Sequence, residues 1–180
     1  LVSWQGKADM KLLTSFESDN LFLSLTANHL YSGFYLNELL VRLLPEMDSH
    51  NGIYHAYEQS LNALQAGEDI EPLLRVFEFR LLTELGYGLD FTQDARNHCA
   101  IVPDGFYECH IQEGFFSAAP NLPEQFLLKG ECLLAIDCGD YSLPATRLAA
   151  KQLARRLLKP LLGSRPLNSR ELFVSSKPTE

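Results

Sequence analysis

The sequence lacks every short signature by which a metal, nucleotide or hydrolase site is usually read. Its four cysteines, at 99, 109, 132 and 138, include no C-x-x-C pair, whereas zinc sites normally use close pairs joined by a longer gap. No P-loop, G-x-G-x-x-G or H-E-x-x-H stretch occurs, and no G-x-S-x-G elbow. The carboxylates are scattered, so no glycosidase pair stands out. No apolar run approaches the ~18 residues that a membrane-crossing helix needs. With 11 glycines and 9 prolines, and no internal repeat, collagen-like and low-complexity classes are excluded.

What is present fits a folded domain. The chain has 180 residues, 46% hydrophobic and 21% charged, enough for one sizeable core. Reduced, partly buried thiols in a cytosolic protein are the default expectation for four cysteines without secretory context. The net charge is -8, but it is unevenly spread. Residues 31–100 carry eleven acidic and four basic residues, and 101–145 carry seven and one. Residues 146–180 reverse the balance, with eight basic and two acidic. Such asymmetry says more about partners than the total does.

The chain opens on Leu1 and directly onto strand-like sequence. The expectation is that it is the C-terminal part of something longer. Residues 1–25 read as two strands, with Leu21, Leu23 and Leu25 alternating and Ser18-Asp19-Asn20 as the turn. Leu36, Leu39, Leu40, Leu43 and Leu44 predict a helix over 27–45, stopped by Pro45. Ile53, Tyr57, Leu61 and Leu64 predict a second over 48–66, with Gly67 as C-cap. Leu74, Phe77, Leu81, Leu82 and Leu85 predict a third over 71–85, with Pro72 in its first turn and Gly86 after its end.

Residues 87–116 then mix glycine, aspartate, proline and aromatics. Ala100–Val102 and Phe106–Ile111 read as a hairpin around Pro103-Asp104-Gly105. Residues 123–136 read as a helix that Gly130 weakens. The last strong helix starts near Ser142, read as its N-cap, with Pro144 just inside, and runs to about Leu158. The fold expected is mainly α: a helical domain with a small β-hairpin insertion, preceded by a remnant of sheet.

In the last helix Arg147, Lys151, Arg155 and Lys159 fall at steps of four, flanked by Arg156. Like charges at that spacing repel by about 0.2–0.5 kcal/mol per pair. A polyanion facing the row would remove the repulsion and release counterions. A solvated face, or pairing with the acidic remainder of the chain, accounts for the row equally simply. Arg75 lies beside Leu74 and Phe77 and one turn before Phe79. An arginine next to apolar surface fits a peptide ending in a hydrophobic residue and a free carboxylate. Pairing with Glu71 or Glu78 on the same helix is the reading that local sequence favours. Cys109-His110 and His98-Cys99 are adjacent pairs, which in a strand point apart. They argue for neither a structural zinc nor a Cys–His nucleophile.

Three stretches together resemble the RecO family of bacterial DNA repair and recombination mediators. They are Tyr31-Ser-Gly-Phe-Tyr-Leu-Asn-Glu-Leu-Leu to Leu44, Leu74-Arg-Val-Phe-Glu-Phe-Arg-Leu-Leu-Thr-Glu-Leu-Gly-Tyr-Gly to Leu89, and Ala150 to Leu162 followed by Gly163-Ser-Arg-Pro-Leu-Asn-Ser-Arg-Glu-Leu-Phe. Their order and separation match the family along nearly the whole chain. The resemblance implies that residues 1–25 are the last strands of an OB-fold. Residues 26–180 would be the helical C-terminal domain, with its irregular insertion at 87–116. It implies a cytoplasmic, nucleoid-associated mediator that is not an enzyme and has no cofactor. Such a protein binds single- and double-stranded DNA and anneals complementary strands without nucleotide hydrolysis. It works with RecR and helps load RecA onto strands covered by single-strand-binding protein, SSB.

The resemblance also assigns residues. Arg75, with Leu74, Phe77 and Leu82 as neighbours, falls where the family meets the acidic, Phe-terminated SSB tail. Arg147, Lys151, Arg155, Arg156, Lys159, Arg165 and Arg170 fall in its positive region and are the DNA-binding candidates. Many members carry four zinc-binding cysteines after the Leu-Gly-Tyr stretch. Here residues 90–116 hold only Cys99 and Cys109, so the metal-free form is expected. Two other classes stay open: a structural adaptor without DNA binding, and a cysteine-dependent enzyme.

Overall fold

The computed structural model describes residues 2–7, 10–17, 23–46, 48–119 and 126–175, with 173–175 given as backbone only. Two strands come first, β1 (Val2–Gln5) and β2 (Leu12–Phe16), paired antiparallel. Every residue of both is exposed. The strand expected around Leu21–Leu25 is not formed at its described residues 23–25, and Ser18-Asp19-Asn20 lies outside the described residues.

Three helices follow: α1 (Ala27–Leu43), α2 (Asn51–Ala66) and α3 (Ile70–Glu84). Their spacing was legible because each has an apolar stripe. Leu36 and Leu39 on α1, Ile53 and Leu64 on α2, and Phe77, Leu81 and Leu82 on α3 are all essentially inaccessible. Each such side chain contributes roughly 1.5–3 kcal/mol by leaving water. Gly67 ends α2 in the left-handed region, at φ 79, where a side chain would be strained. Asp69 caps α3, its carboxylate accepting from the Glu71 amide at 3.2 Å.

The insertion is a three-stranded antiparallel sheet in the order β4-β3-β5, with β3 at Phe106–His110, β4 at Gly114–Ser117 and β5 at Leu127–Lys129. The hairpin is therefore one strand later than the sequence suggests. Phe106–His110 turns back through residues 111–113 onto Gly114–Ser117, while Ala100 forms only a single bridge, to Gln93. Asp94, 3% exposed, ties the start of the insertion to the sheet. Its two carboxylate oxygens accept from the Arg96 and Ser117 amides, both at 2.8 Å. Burial alone would raise its pKa, but these hydrogen bonds hold it below the ordinary aspartate value.

The helix expected over 123–136 is also corrected. Leu127–Lys129 joins β3, and helix α4 starts only at Gly130 and runs to Asp137. Residues 123–125 lie outside the described residues. Gly130 is a close-approach residue, because a Cβ there would collide with the Val102 carbonyl oxygen. The same loop caps α4: the Gly130 and Glu131 amides donate to the carbonyls of Gly105 and Pro103, each at 2.8 Å.

Helix α5 (Pro144–Leu162) begins with Pro144 in its first turn, and its N-cap is Leu143 rather than Ser142. The Ser142 amide is instead tied to the Asp140 carboxylate at 2.9 Å. Helix α5 runs one turn past Leu158, through Pro160. Ala150, Leu153, Ala154, Leu157 and Leu158 are buried, against α3 and α4. A short helix absent from the sequence reading, α6 (Asn168–Ser175), packs on α1. The fold is mainly α with small antiparallel sheets, as expected.

Candidate functional site

The basic row of α5 is divided by what lies opposite it. Asp69 and Glu71 at the start of α3 face its first turns. The Arg147 guanidinium donates to Asp69 at 2.5 Å through Nη1 and to the Tyr141 carbonyl at 2.6 Å through Nε. Lys151 Nζ meets Glu71 Oε1 at 2.7 Å. Asp69 is accordingly held below the ordinary aspartate range, chiefly by its hydrogen bond from Arg147. Each step of four in an α-helix turns the row by about 40°. By Arg155 and Lys159 it has swung off these acids. Arg155, Arg156, Lys159, Arg165 and Arg170 are exposed, and none forms an ion pair with a described residue. Arg156 lies over the Phe126 ring, 5.5 Å from its centroid.

Arg75 occupies the opposite kind of setting. It is 6% exposed. Its Nη2 donates to Glu78 Oε1 at 2.8 Å, one turn on along α3. The Tyr35 hydroxyl on α1 donates to the same oxygen at 2.5 Å. Glu78 Oε2 and Arg75 Nε are buried without a hydrogen-bond partner among the described residues. Burial pushes Glu78 above the ordinary glutamate value, against the pull of Arg75 and Tyr35. Of the two partners that local sequence offered, Glu78 is the one Arg75 takes, while Glu71 pairs with Lys151.

These two settings meet in one cleft of about 630 Å³. Asn28 and Tyr35 of α1, Ile70, Leu74 and Arg75 of α3, Lys151 and Arg155 of α5, and Arg170 of α6 line it, with Asp69 and Glu71 also on the wall. Four cations from three helices therefore stand beside an apolar wall of Tyr35, Ile70 and Leu74. Phe77 and Leu82, expected beside Arg75, are each 1% exposed. They belong to the core, so the apolar wall comes from other residues. Tyr35 and Ile70 were missed because they lie on separate helices, and no local pattern links them to Arg75. Arg165 lies in the turn between α5 and α6, away from the lining. Chemically, the cleft can hold an anionic group attached to a hydrophobic one.

The cysteines are all free thiols. Cys109 is 1% exposed, and burial pushes its thiol up to about 11, so it is protonated at neutral pH. His110 is exposed while Cys109 is buried, as alternation along β3 requires. Its ring packs on Phe116, with centroids 4.7 Å apart.

Comparison with known proteins places this geometry. The family model described as "Recombination protein O C terminal" matches residues 25–171. The DNA repair protein RecO of Cellvibrio japonicus is 55% identical over 178 residues, covering 99% of this chain and 75% of that protein. Those of Actinobacillus pleuropneumoniae serotype 7 and Pseudomonas entomophila are 41% and 42% identical, covering 100% and 96% of this chain and 75% and 74% of theirs. On these matches, which run from the front strands through the cleft to α6, the chain belongs to the RecO family of DNA repair proteins.

Proposed function

We propose that this protein is a recombination mediator that binds single- and double-stranded DNA and anneals complementary strands. With RecR it helps load RecA, and it takes hold of SSB by the tail. The observation that carries this reading is the cleft, in which Arg155 and Arg170, without an ion pair among the described residues, join the paired Arg75 and Lys151 beside Tyr35, Ile70 and Leu74. An acidic peptide ending in phenylalanine presents the complementary chemistry: carboxylates for the cations and a ring for the apolar wall. Arg155, Arg156, Lys159, Arg165 and Arg170 are the exposed cations offered to phosphates, where they screen the repulsion between two strands. Arg147 and Lys151 are already neutralised and belong less to the DNA surface than to the joint between α3 and α5. The reading also makes β1 and β2 the closing strands of an OB-fold, with Trp4, Leu12 and Phe16 exposed on them. It places the protein in the cytoplasm, at the nucleoid. An adaptor without DNA binding draws support only from the two neutralised cations. A cysteine enzyme is disfavoured by the protonated, buried Cys109.

The test is a titration of the chain with such a peptide. Arg75→Ala is expected to weaken binding by about 1.5–3 kcal/mol. That substitution also strands Glu78 in the core, which costs about 3–5 kcal/mol of stability. Arg75→Met with Glu78→Leu removes the cation and the buried acid together and keeps the core filled. Unchanged peptide affinity in this folded double variant would remove Arg75 from the site.

A further inference from the structure

The wall of the cleft that carries Arg170 is held in place from behind by α1. Glu38 caps α6 from another helix. Its Oε1 accepts from the Asn168 amide at 2.9 Å, and its Oε2 accepts from the Ser169 amide at 2.9 Å and the Ser169 hydroxyl at 2.7 Å. One turn along, Arg42 holds the chain just before α6. Its Nη2 donates to the carbonyls of Leu162 and Arg165 at 2.6 and 2.8 Å, and its Nη1 to that of Pro166 at 3.0 Å. Glu38 and Arg42 themselves lie 3.7 Å apart. An eight-residue helix is not stable by itself, and α6 immediately follows this clamp. Arg170 is the next residue after the two whose amides Glu38 binds, and it lines the cleft. Leu167 and Ser169, on either side of the cap, are buried at 3% and 4% exposure, so the clamp is seated in the fold. A carboxylate at a helix N-terminus also matches the helix dipole.

We propose that Glu38, supported by Arg42, is a positioning residue for the cleft: it fixes the start of α6 so that Arg170 is presented to an anionic ligand. This rests on the reading of the cleft given above. It assigns a binding role to a side chain that is absent from the lining. Ordering the cation beforehand removes part of the entropic cost of immobilising it on binding.

The experiment measures the anisotropy of a fluorescent acidic peptide, ending in phenylalanine with a free carboxylate, against the full chain and its variants. Arg170→Ala and Glu38→Ala are each expected to weaken binding about fivefold. The two together are expected to weaken it no more than Arg170→Ala alone, because both remove one contact. Glu38→Gln, which keeps an acceptor oxygen, is expected to recover part of the loss. Hydrogen exchange should quicken at the Asn168 and Ser169 amides in Glu38→Ala and stay slow through α3, which shows that the rest of the fold is intact. Wild-type affinity in Glu38→Ala overturns the proposal, as does an equal loss with and without Arg170. If wild-type protein does not bind the peptide, the cleft reading itself falls and takes this proposal with it, whereas unchanged binding by the Arg75→Met/Glu78→Leu variant removes Arg75 alone.

Discussion

Arg147 and Lys151 sit on the first two turns of α5 against Asp69 and Glu71 of α3, at 2.5 and 2.7 Å. Arg155 and Lys159 continue the same four-residue rhythm but are exposed and without an ion pair among the described residues. The first half of the row joins two helices, with Lys151 also on the cleft wall, whereas in the second half Arg155 lines the cleft and Lys159 is exposed. The difference arises outside α5. It comes from where the acidic start of α3 ends and from the gradual turn of an i,i+4 row around its helix. A charge pattern therefore identifies available cations only after the neighbouring elements have been placed.

Charge reversal gives the largest expected effect on this comparison. Arg147→Glu with Lys151→Glu would put carboxylates against Asp69 and Glu71. A loss of about 1–2 kcal/mol of folding stability is expected in urea unfolding, from two lost attractions and two new repulsions. Lys159→Glu is expected to stay within about 0.5 kcal/mol of wild type. Equal losses in both variants would erase the distinction between the halves.

Acid gives a smaller effect with a definite sign. Asp69 is held below its unfolded value by Arg147. Its contribution is therefore complete above the unfolded aspartate pKa of about 4, and it is lost as the pH falls through the folded value. Thermal melts between pH 6 and 3, scanned in wild type and Asp69→Asn, should show a shallower acid decline in the variant. Lys159 has no ion pair among the described residues, so Lys159→Gln should leave the wild-type decline unchanged.

The helical body was legible in the sequence because its stripes are strong. The Leu36/Leu39, Phe77/Leu81 and Leu153/Leu157 pairs each fix a helix and its buried face. The insertion was less legible. Ala100-Ile101-Val102 has strand composition, but a three-stranded sheet needs Leu127–Lys129 as well, and that segment has the composition of a helix. The reason for Gly130 appears only once the Val102 carbonyl is packed against it. Arg75 was singled out beside apolar residues and it lines the cleft, yet Phe77 and Leu82 turn into the core, as their place in the helical stripe requires. Tyr35 and Ile70 on the cleft wall, and the Glu38 contact with the start of α6, were not legible because they depend on α1, α3 and α6 meeting, which no local spacing records.

The division of the α5 row is tested most directly by the salt dependence of DNA binding. The chain, its Arg147→Ala/Lys151→Ala variant and its Arg155→Ala/Arg156→Ala/Lys159→Ala variant would be titrated with the same oligonucleotide across a range of salt concentrations. The log–log slope is expected to be unchanged in the first variant and lower by about three phosphate contacts' worth in the second. A slope that falls in the first variant and holds in the second would contradict the account.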